Sequence, residues 1–326
     1  MLFRRDVARR VSTARNQKQI HDTMKILQLI GYCLTMTIFL AVWILPKPLQ
    51  QFLALIIYVL VAHVIGYRKK VIITNLTKSF PEKSKKEINR IARRYYRHLA
   101  YMIIEAVNLR FSPRKRIAKC MSVQNPEVFQ QLIDKDRNVL IILGHYGNWE
   151  YGCAKIANFD IRTTAIYKRL SSPIFERFYM EMRSKTGVEP IEMRDTMRKM
   201  VEMRDSGRRF ALLSVADQTP TRSQIHYWLT FLNQDTGVFI GSERLAQKFN
   251  MAVLYCEIKR LGFSKFDTRV TLITETPNSC PEHYITNRFY QLLEASIKEA
   301  PENWVWSHRR WKHQRTEEEL RTKTNN

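Results

Sequence analysis

Residues 139–150, Val-Leu-Ile-Ile-Leu-Gly-His-Tyr-Gly-Asn-Trp-Glu, constrain the fold of this chain more than any other stretch. The five aliphatic residues from Val139 to Leu143 show no helical period of polar positions. They read as a strand buried on both faces, as in a parallel sheet. Gly144 stops the run, and Gly147 with Asn148 supplies a turn and a helix N-cap. His145 therefore lies on the loop beyond the carboxyl end of a buried strand, where open α/β sheets place their chemistry. On one continuous helix His145 and Glu150 would point roughly 140° apart. A strand–loop–helix path instead folds the chain back, so that Glu150, in the first helical turn, can accept a hydrogen bond from the imidazole. Such a pair is a general base with its orienting group. The plain alternative is a histidine that only satisfies its own hydrogen bonds at a strand end.

The rest of the chain repeats this rhythm. Strand-like segments at 163–167, 188–191 and 210–215 alternate with helical patterns at 173–182 and 196–204, and a short helix after Asn125-Pro126 precedes the central strand. This alternation predicts an α/β fold with a largely parallel or mixed central sheet covered by helices. A helix is expected from Gly237 to about residue 249. Two longer alternating strands follow, 253–259 and 268–274, placed antiparallel at an edge, and then a helix over about 281–299. Ser84-Lys85-Lys86-Glu87 has the form of a capping box and opens a helix to about residue 109. That helix is basic and amphipathic, with Glu105 and Asn108 near its end on an otherwise apolar face. The tail from residue 316 is polar and reads as disordered.

Lysine and arginine outnumber aspartate and glutamate by 54 to 30, a formal net charge of +24, which calls for a polyanionic partner. No helix-turn-helix, zinc-finger spacing or aromatic RNA-binding motif is present, so nucleic acid gives way to an anionic membrane or an acidic substrate or carrier. The five cysteines are scattered without a Cys-x-x-Cys, which indicates a reducing compartment and no metal site. Residues 1–25 form a basic tail. Residues 26–45 carry no charge over a length able to cross a bilayer, with Trp43 near the end as an interfacial aromatic. Pro46-Lys47-Pro48 breaks this run, and residues 49–66 form a second apolar stretch closed by Arg68-Lys69-Lys70. The chain thus divides into a tail (1–25), a membrane-anchor region (26–66), a catalytic domain (67–315) and a polar tail (316–326). The second stretch is either a second span with both basic flanks inside or a helix lying at the membrane surface.

Gly144-His145-Tyr146-Gly147-Asn148-Trp149-Glu150 resembles the His-x4-Asp/Glu signature of the lipid A late acyltransferases, the lauroyl/myristoyl transferase family of lipopolysaccharide biosynthesis. The basic cluster, Asn75-Leu76 and Phe80-Pro81 resemble the segment that precedes the catalytic core in that family. Tyr167-Lys168-Arg169, Arg183-Ser184-Lys185, Ala216-Asp217-Gln218 and Pro301-Glu302-Asn303-Trp304 through His308-Arg309-Arg310 match its later motifs in order. Lys168 in place of arginine and Thr219-Pro220 after Gln218 depart from the pattern. The resemblance implies a glycerolipid-acyltransferase-like domain behind an N-terminal hydrophobic anchor, at the bacterial inner membrane and facing the cytoplasm. Acyl carrier protein, or acyl-CoA, would donate the acyl group, and a lipid A precursor would accept it. A glycolipid, aminolipid or lysophospholipid acceptor is the alternative within the class. Lysophosphatidate transferases prefer Asn-His-x-Ser-x-x-Asp, which Gly144 before His145 and Gly147 after it do not match. A basic, non-catalytic membrane-binding protein is the alternative outside the class.

The resemblance also implies roles. His145 would take the acceptor's hydroxyl proton, and Glu150 would fix its tautomer and stabilise the imidazolium. Arg169, or backbone N–H groups near Gly147, would donate to the oxyanion. Arg183, Arg309 and Arg310 would grip phosphates on a glucosamine disaccharide. Asp217, ending a strand at the same sheet edge, is expected at the site, orienting an arginine or capping a helix. Neither a metal, a cofactor nor a covalent acyl-enzyme is expected. A catalytic zinc needs three protein ligands; His63 lies in the apolar stretch, His98 on the basic helix, and His226, His283, His308 and His313 lack paired ligand spacing.

Overall fold

The computed structural model describes residues 2–316. The chain begins with helix α1 (Leu2–Ile44), then α2 (Lys47–Val59), which continues through a π-helical turn (Leu60–Val64). Next come α3 (Lys69–Ser79), α4 (Lys85–Phe111), α5 (Arg114–Ala118), β1 (Met121–Val123), α6 (Pro126–Asp134), β2 (Val139–Leu143), α7 (Trp149–Ile156) and β3 (Arg162–Tyr167). They are followed by α8 (Pro173–Thr186), β4 (Val188–Glu192), α9 (Thr196–Asp205), β5 (Phe210–Val215), β6 (Tyr227–Phe231), β7 (Gln234–Val238), α10 (Gly241–Lys248), β8 (Ala252–Gly262), β9 (Lys265–Thr274) and α11 (Tyr284–Glu299). One helix therefore runs through the expected boundary at residue 25, and the polar tail beyond 316 lies outside the described residues.

Seven strands form one sheet in the order β1-β9-β8-β2-β5-β3-β4. β8, β2, β5, β3 and β4 run parallel, while β9 reverses against β8 and β1 runs parallel to β9. The sheet is the mixed α/β sheet expected. The two long strands pair antiparallel as anticipated, but β8 lies inside the sheet, and the three-residue β1 forms the edge beyond β9. β2 shows why its sequence is aliphatic throughout. Leu140 and Ile142 pack into a core with α3, α4 and α11, whereas Val139, Ile141 and Leu143 pack into another with α6, α7 and α8. A strand covered on both faces has no position for a polar residue.

The expected capping box is formed. Ser84 Oγ accepts from Glu87 N–H, and the Glu87 carboxylate accepts from Ser84 N–H at 2.8 Å. The helix expected from Gly237 instead begins at Gly241, because residues 227–238 form the antiparallel hairpin β6–β7. Its turn is Leu232-Asn233, both with positive φ (49° and 60°). A two-residue turn of this kind is ordinarily marked by Asn-Gly or Asp-Gly. Here Glu294 accepts the Leu232 N–H at 2.8 Å, and Leu232 is fully buried, so tertiary contacts fix the turn.

Candidate active site

Sheet register brings the site together. Leu143 of β2 pairs with Val215 of β5, and Ala216 N–H donates to Leu143 O at 3.0 Å. Two residues beyond each partner stand His145 and Asp217, so neighbouring parallel strands deliver both to the carboxyl edge of the sheet. Gly144 and Gly147 allow the chain to turn there. A Cβ on Gly144 would lie 2.5 Å from Leu293 Cδ1, and one on Gly147 would lie 2.1 Å from the carbonyl oxygen of Ile258. Gly147 also has φ +64°, a conformation that favours glycine. Its N–H donates to Asn303 O at 3.0 Å, which ties the turn to the C-terminal segment. Asn148 then caps α7, as its sequence position predicts.

The imidazole of His145 is held by Asp217. Nδ1 donates to Asp217 Oδ1 at 2.5 Å, and the His145 backbone N–H donates to Oδ2 at 2.9 Å. Trp304 Nε1–H donates to the same Oδ2 at 2.7 Å. Asp217 is only 2% exposed. Burial by itself would raise its carboxyl pKa, but the charge of His145 and the hydrogen bonds from His145 and Trp304 hold it below its ordinary value. With Nδ1 donating, Nε2 carries the lone pair, and the amide of Gln218 meets it at 2.9 Å on the open side. Trp149 packs edge-on against the ring at 4.8 Å between centroids. An imidazole fixed in this tautomer, with the outer nitrogen unprotonated and reachable, can abstract a proton.

This corrects the expected partner of His145. Glu150 is not hydrogen-bonded to the imidazole. As the second residue of α7 its side chain turns to α8, where Arg183 grips it with Nε at 3.1 Å and Nη2 at 2.5 Å. The guanidinium lies beside the rings of Tyr179 and Tyr167. Burial would lower the Arg183 pKa, but the Glu150 carboxylate outweighs it and raises it. Arg183 is therefore occupied by an ion pair rather than held open for a phosphate. Arg310 is corrected as well. It is 1% exposed, and donates to Gly237 O at 3.0 Å and Tyr290 OH at 3.1 Å inside the core. Arg309 and Arg169 are exposed, with no side-chain ion pair or hydrogen bond among the described residues. Arg169 stands just past the carboxyl end of β3, on the edge that bears His145.

Two features escaped sequence reasoning. His308 Nε2 accepts the Thr219 N–H at 3.1 Å, which leaves its proton on Nδ1. Burial, more than its neighbours, lowers its pKa to about 4, so it is neutral beside the dyad. The second feature is a buried cluster under the turn. Glu105 of α4 is fully buried and pairs with Arg260 of β8 through both oxygens, Oε1 with Nη1 and Oε2 with Nη2 at 2.7 Å. It also accepts from Ser264 N–H at 2.8 Å and from Asn148 Nδ2 at 2.9 Å. Arg260 Nε donates to His98 Nδ1 at 3.0 Å. Glu105 within an apolar helix face was the one visible signal. The thiols near the site are kept protonated by burial, with Cys256 pushed up to about 12 and Cys153 raised further.

Fold and family together make this chain an α/β acyltransferase. It belongs to the bacterial lipid A biosynthesis acyltransferases, whose family model matches residues 17–313. It is 22% identical over 272 residues to a lipid A biosynthesis palmitoleoyltransferase of Escherichia coli, covering 83% of this chain and 87% of that one. A lipid A biosynthesis acyltransferase of Shigella flexneri matches to the same extent, 22% over 272 residues and the same coverage. Among solved structures, a 1-acyl-sn-glycerophosphate acyltransferase from Thermotoga maritima aligns over 80% of this chain and 100% of its own, at 15% identity and a TM-score of 0.37.

Proposed function

We propose that this acyltransferase of lipid A biosynthesis moves a fatty acyl group from an acyl thioester, on acyl carrier protein or CoA, to a hydroxyl of a lipid A precursor. The reaction takes place at the bacterial inner membrane, with the catalytic domain facing the cytoplasm. His145 Nε2 takes the hydroxyl proton as the oxygen attacks the thioester carbonyl. Asp217 keeps the second ring proton on Nδ1 and offsets the positive charge that forms. The tetrahedral oxyanion collapses, the carbon–sulfur bond breaks, and the imidazolium returns its proton to the departing thiolate. Arg169 and backbone N–H groups of the Gly147 turn donate to the oxyanion. Glu150 acts at one remove, by pairing with Arg183 and so fixing the start of α7, which follows the His145 turn, against α8. Arg309 meets a phosphate of the acceptor.

The observation that carries this reading is the His145–Asp217 dyad at the carboxyl edge of the sheet, with Nε2 on the open side. Purified protein, an acyl carrier protein thioester and a lipid A precursor test it directly. His145→Ala is expected to lower turnover by ~10²-fold or more, the usual contribution of a positioned base. Ordinary turnover by a folded His145→Ala protein would exclude the mechanism.

A further inference from the structure

Two helical stretches, Thr23–Ile44 (22 residues) and Lys47–Val64 (18 residues), are long and apolar enough to cross a membrane. At 1.5 Å per residue even the shorter reaches ~27 Å, close to a bilayer's hydrocarbon thickness. Both, however, are fastened lengthwise to charged helices. On α1, the stripe Tyr32, Met36, Phe39 and Trp43 faces the protein. Phe39 meets Phe178 of α8 at 5.4 Å between centroids, and Trp43 Nε1 donates to Ser112 Oγ at 3.1 Å. Tyr32, at the middle of the stretch, donates to Glu181 of α8 at 2.5 Å. Glu181 also pairs with Arg110 and Arg177, and the side chain of Arg177 is 53% exposed. The second stretch runs antiparallel along α4. Asn108 donates to Gln50 at 2.8 Å at one end, and the Arg97 guanidinium lies 5.9 Å from the Tyr58 ring at the other.

If either stretch crossed the bilayer upright, its charged partner helix would enter the hydrocarbon with it. Exposed arginines and an acidic group would then stand at the depth where a charge is most costly. The outer faces are instead apolar: Ile38 and Ile44 on α1, Phe52, Ile56 and Val59 on α2, and Ile65 just beyond are all exposed. The exposed basic cluster Arg68-Lys69-Lys70 follows immediately, and such a cluster is attracted to anionic headgroups.

We propose that neither stretch crosses the membrane, and that α1 from Thr23 onward and α2 lie in one leaflet of an anionic phospholipid bilayer as an in-plane anchor. This rests on the membrane-bound reading above. It requires the N-terminus, the 46–48 turn and the catalytic domain to lie on the same side. The test uses the full chain, with Cys33, Cys120 and Cys280 changed to serine and Lys47→Cys added, in spheroplasts of a Gram-negative host. A membrane-impermeant maleimide labels from outside, and an N-terminal reporter scores its own side. Retained acyl transfer shows that the variant is folded. The expected result is membrane-fraction protein with the reporter inside and residue 47 labelled at least ~10-fold more after lysis than before. An external reporter means a single span, and external labelling of residue 47 means a hairpin of two spans; either overturns the proposal. Protein recovered in the soluble fraction without detergent overturns the membrane-bound reading itself and this anchor with it.

Discussion

Asp217→Asn isolates the contribution of the dyad. Oδ2 receives two donors, the His145 backbone N–H and Trp304 Nε1–H, while Oδ1 receives only Nδ1–H. An amide can present its oxygen to one side only. Placed toward the pair, the oxygen keeps two buried hydrogen bonds, each worth ~1 kcal/mol net and more if left unmade. The NH2 group then faces Nδ1, so the imidazole must shift its proton to Nε2, and the lone pair that takes the hydroxyl proton is lost. The same aspartate-to-asparagine change in a Ser-His-Asp protease triad costs ~10⁴-fold in kcat. A loss of ~10³- to 10⁴-fold is expected here, equivalent to about 4–5.5 kcal/mol of barrier. Asp217 is buried behind the imidazole, at 2% exposure, so KM for donor and acceptor should hold. Steady-state acyl transfer gives the split, and ¹⁵N chemical shifts of His145 report the proton on Nε2. A kcat within ~10-fold of the parent, with Nδ1 still protonated, would refute the assignment. The same carboxyl sets an acid limit. Its folded pKa lies below its ordinary value of 3.8, so its contribution to stability is present above that value and is lost as pH falls through the folded pKa.

Glu150→Ala should cost about 3 kcal/mol by chemical denaturation, the low end for a broken buried pair, because it leaves the largely covered Arg183 unpaired. The double variant Glu150→Ala/Arg183→Met should recover much of that stability but not the turnover. Arg310→Ala should lower stability by about 2–4 kcal/mol through lost buried hydrogen bonds and packing. Arg309→Ala should leave the denaturation midpoint nearly unchanged and raise KM for the lipid acceptor. His308 has its folded pKa lowered from 6.5 to about 4, so the unfolded chain binds the extra proton between those values and stability falls as pH drops through that window. His308→Gln should flatten the decline of Tm between pH 6.5 and 4.

How far the sequence could be read depended on whether a feature is local. β2 was legible because burial on both faces leaves an uninterrupted aliphatic run, and the α4 capping box because its two partners are three residues apart. The β6–β7 hairpin was not, because its turn is fixed by Glu294, 62 residues away. At the site, His145 and the Gly147 turn were visible as a strand end with a required glycine. The partner of His145 was not. Glu150 is five residues away and chemically suitable, whereas Asp217 is 72 residues away and becomes a neighbour only once β5 is known to lie beside β2. Strand order is a non-local property. Two strands that each end two residues before a polar side chain were nevertheless both in view. The arginines divided on the same ground. Arg309 and Arg310 are adjacent in sequence, but the chain turns one to solvent and the other under Tyr290.

The same helix joins the anchor to the chemistry. Asn108 of α4 donates to Gln50 of α2, and Glu105, one turn earlier, accepts from Asn148 in the turn that carries His145. Positions three apart on a helix are neighbours, with Cβ atoms about 5–6 Å apart. Arg260 and Ser264 lock Glu105 from the β8–β9 side, so the link has no freely rotating member. An anchor lying in one leaflet, as proposed above, would thus be attached to His145 through a single turn of α4, not through a flexible linker. For an acceptor whose acyl chains stay in the bilayer, the attacking hydroxyl lies at a depth set by its own headgroup. On that proposal a fixed offset between leaflet and imidazole would present Nε2 at one height above the hydrocarbon, and would restrict the hydroxyls that can meet it before any side chain contacts the sugar.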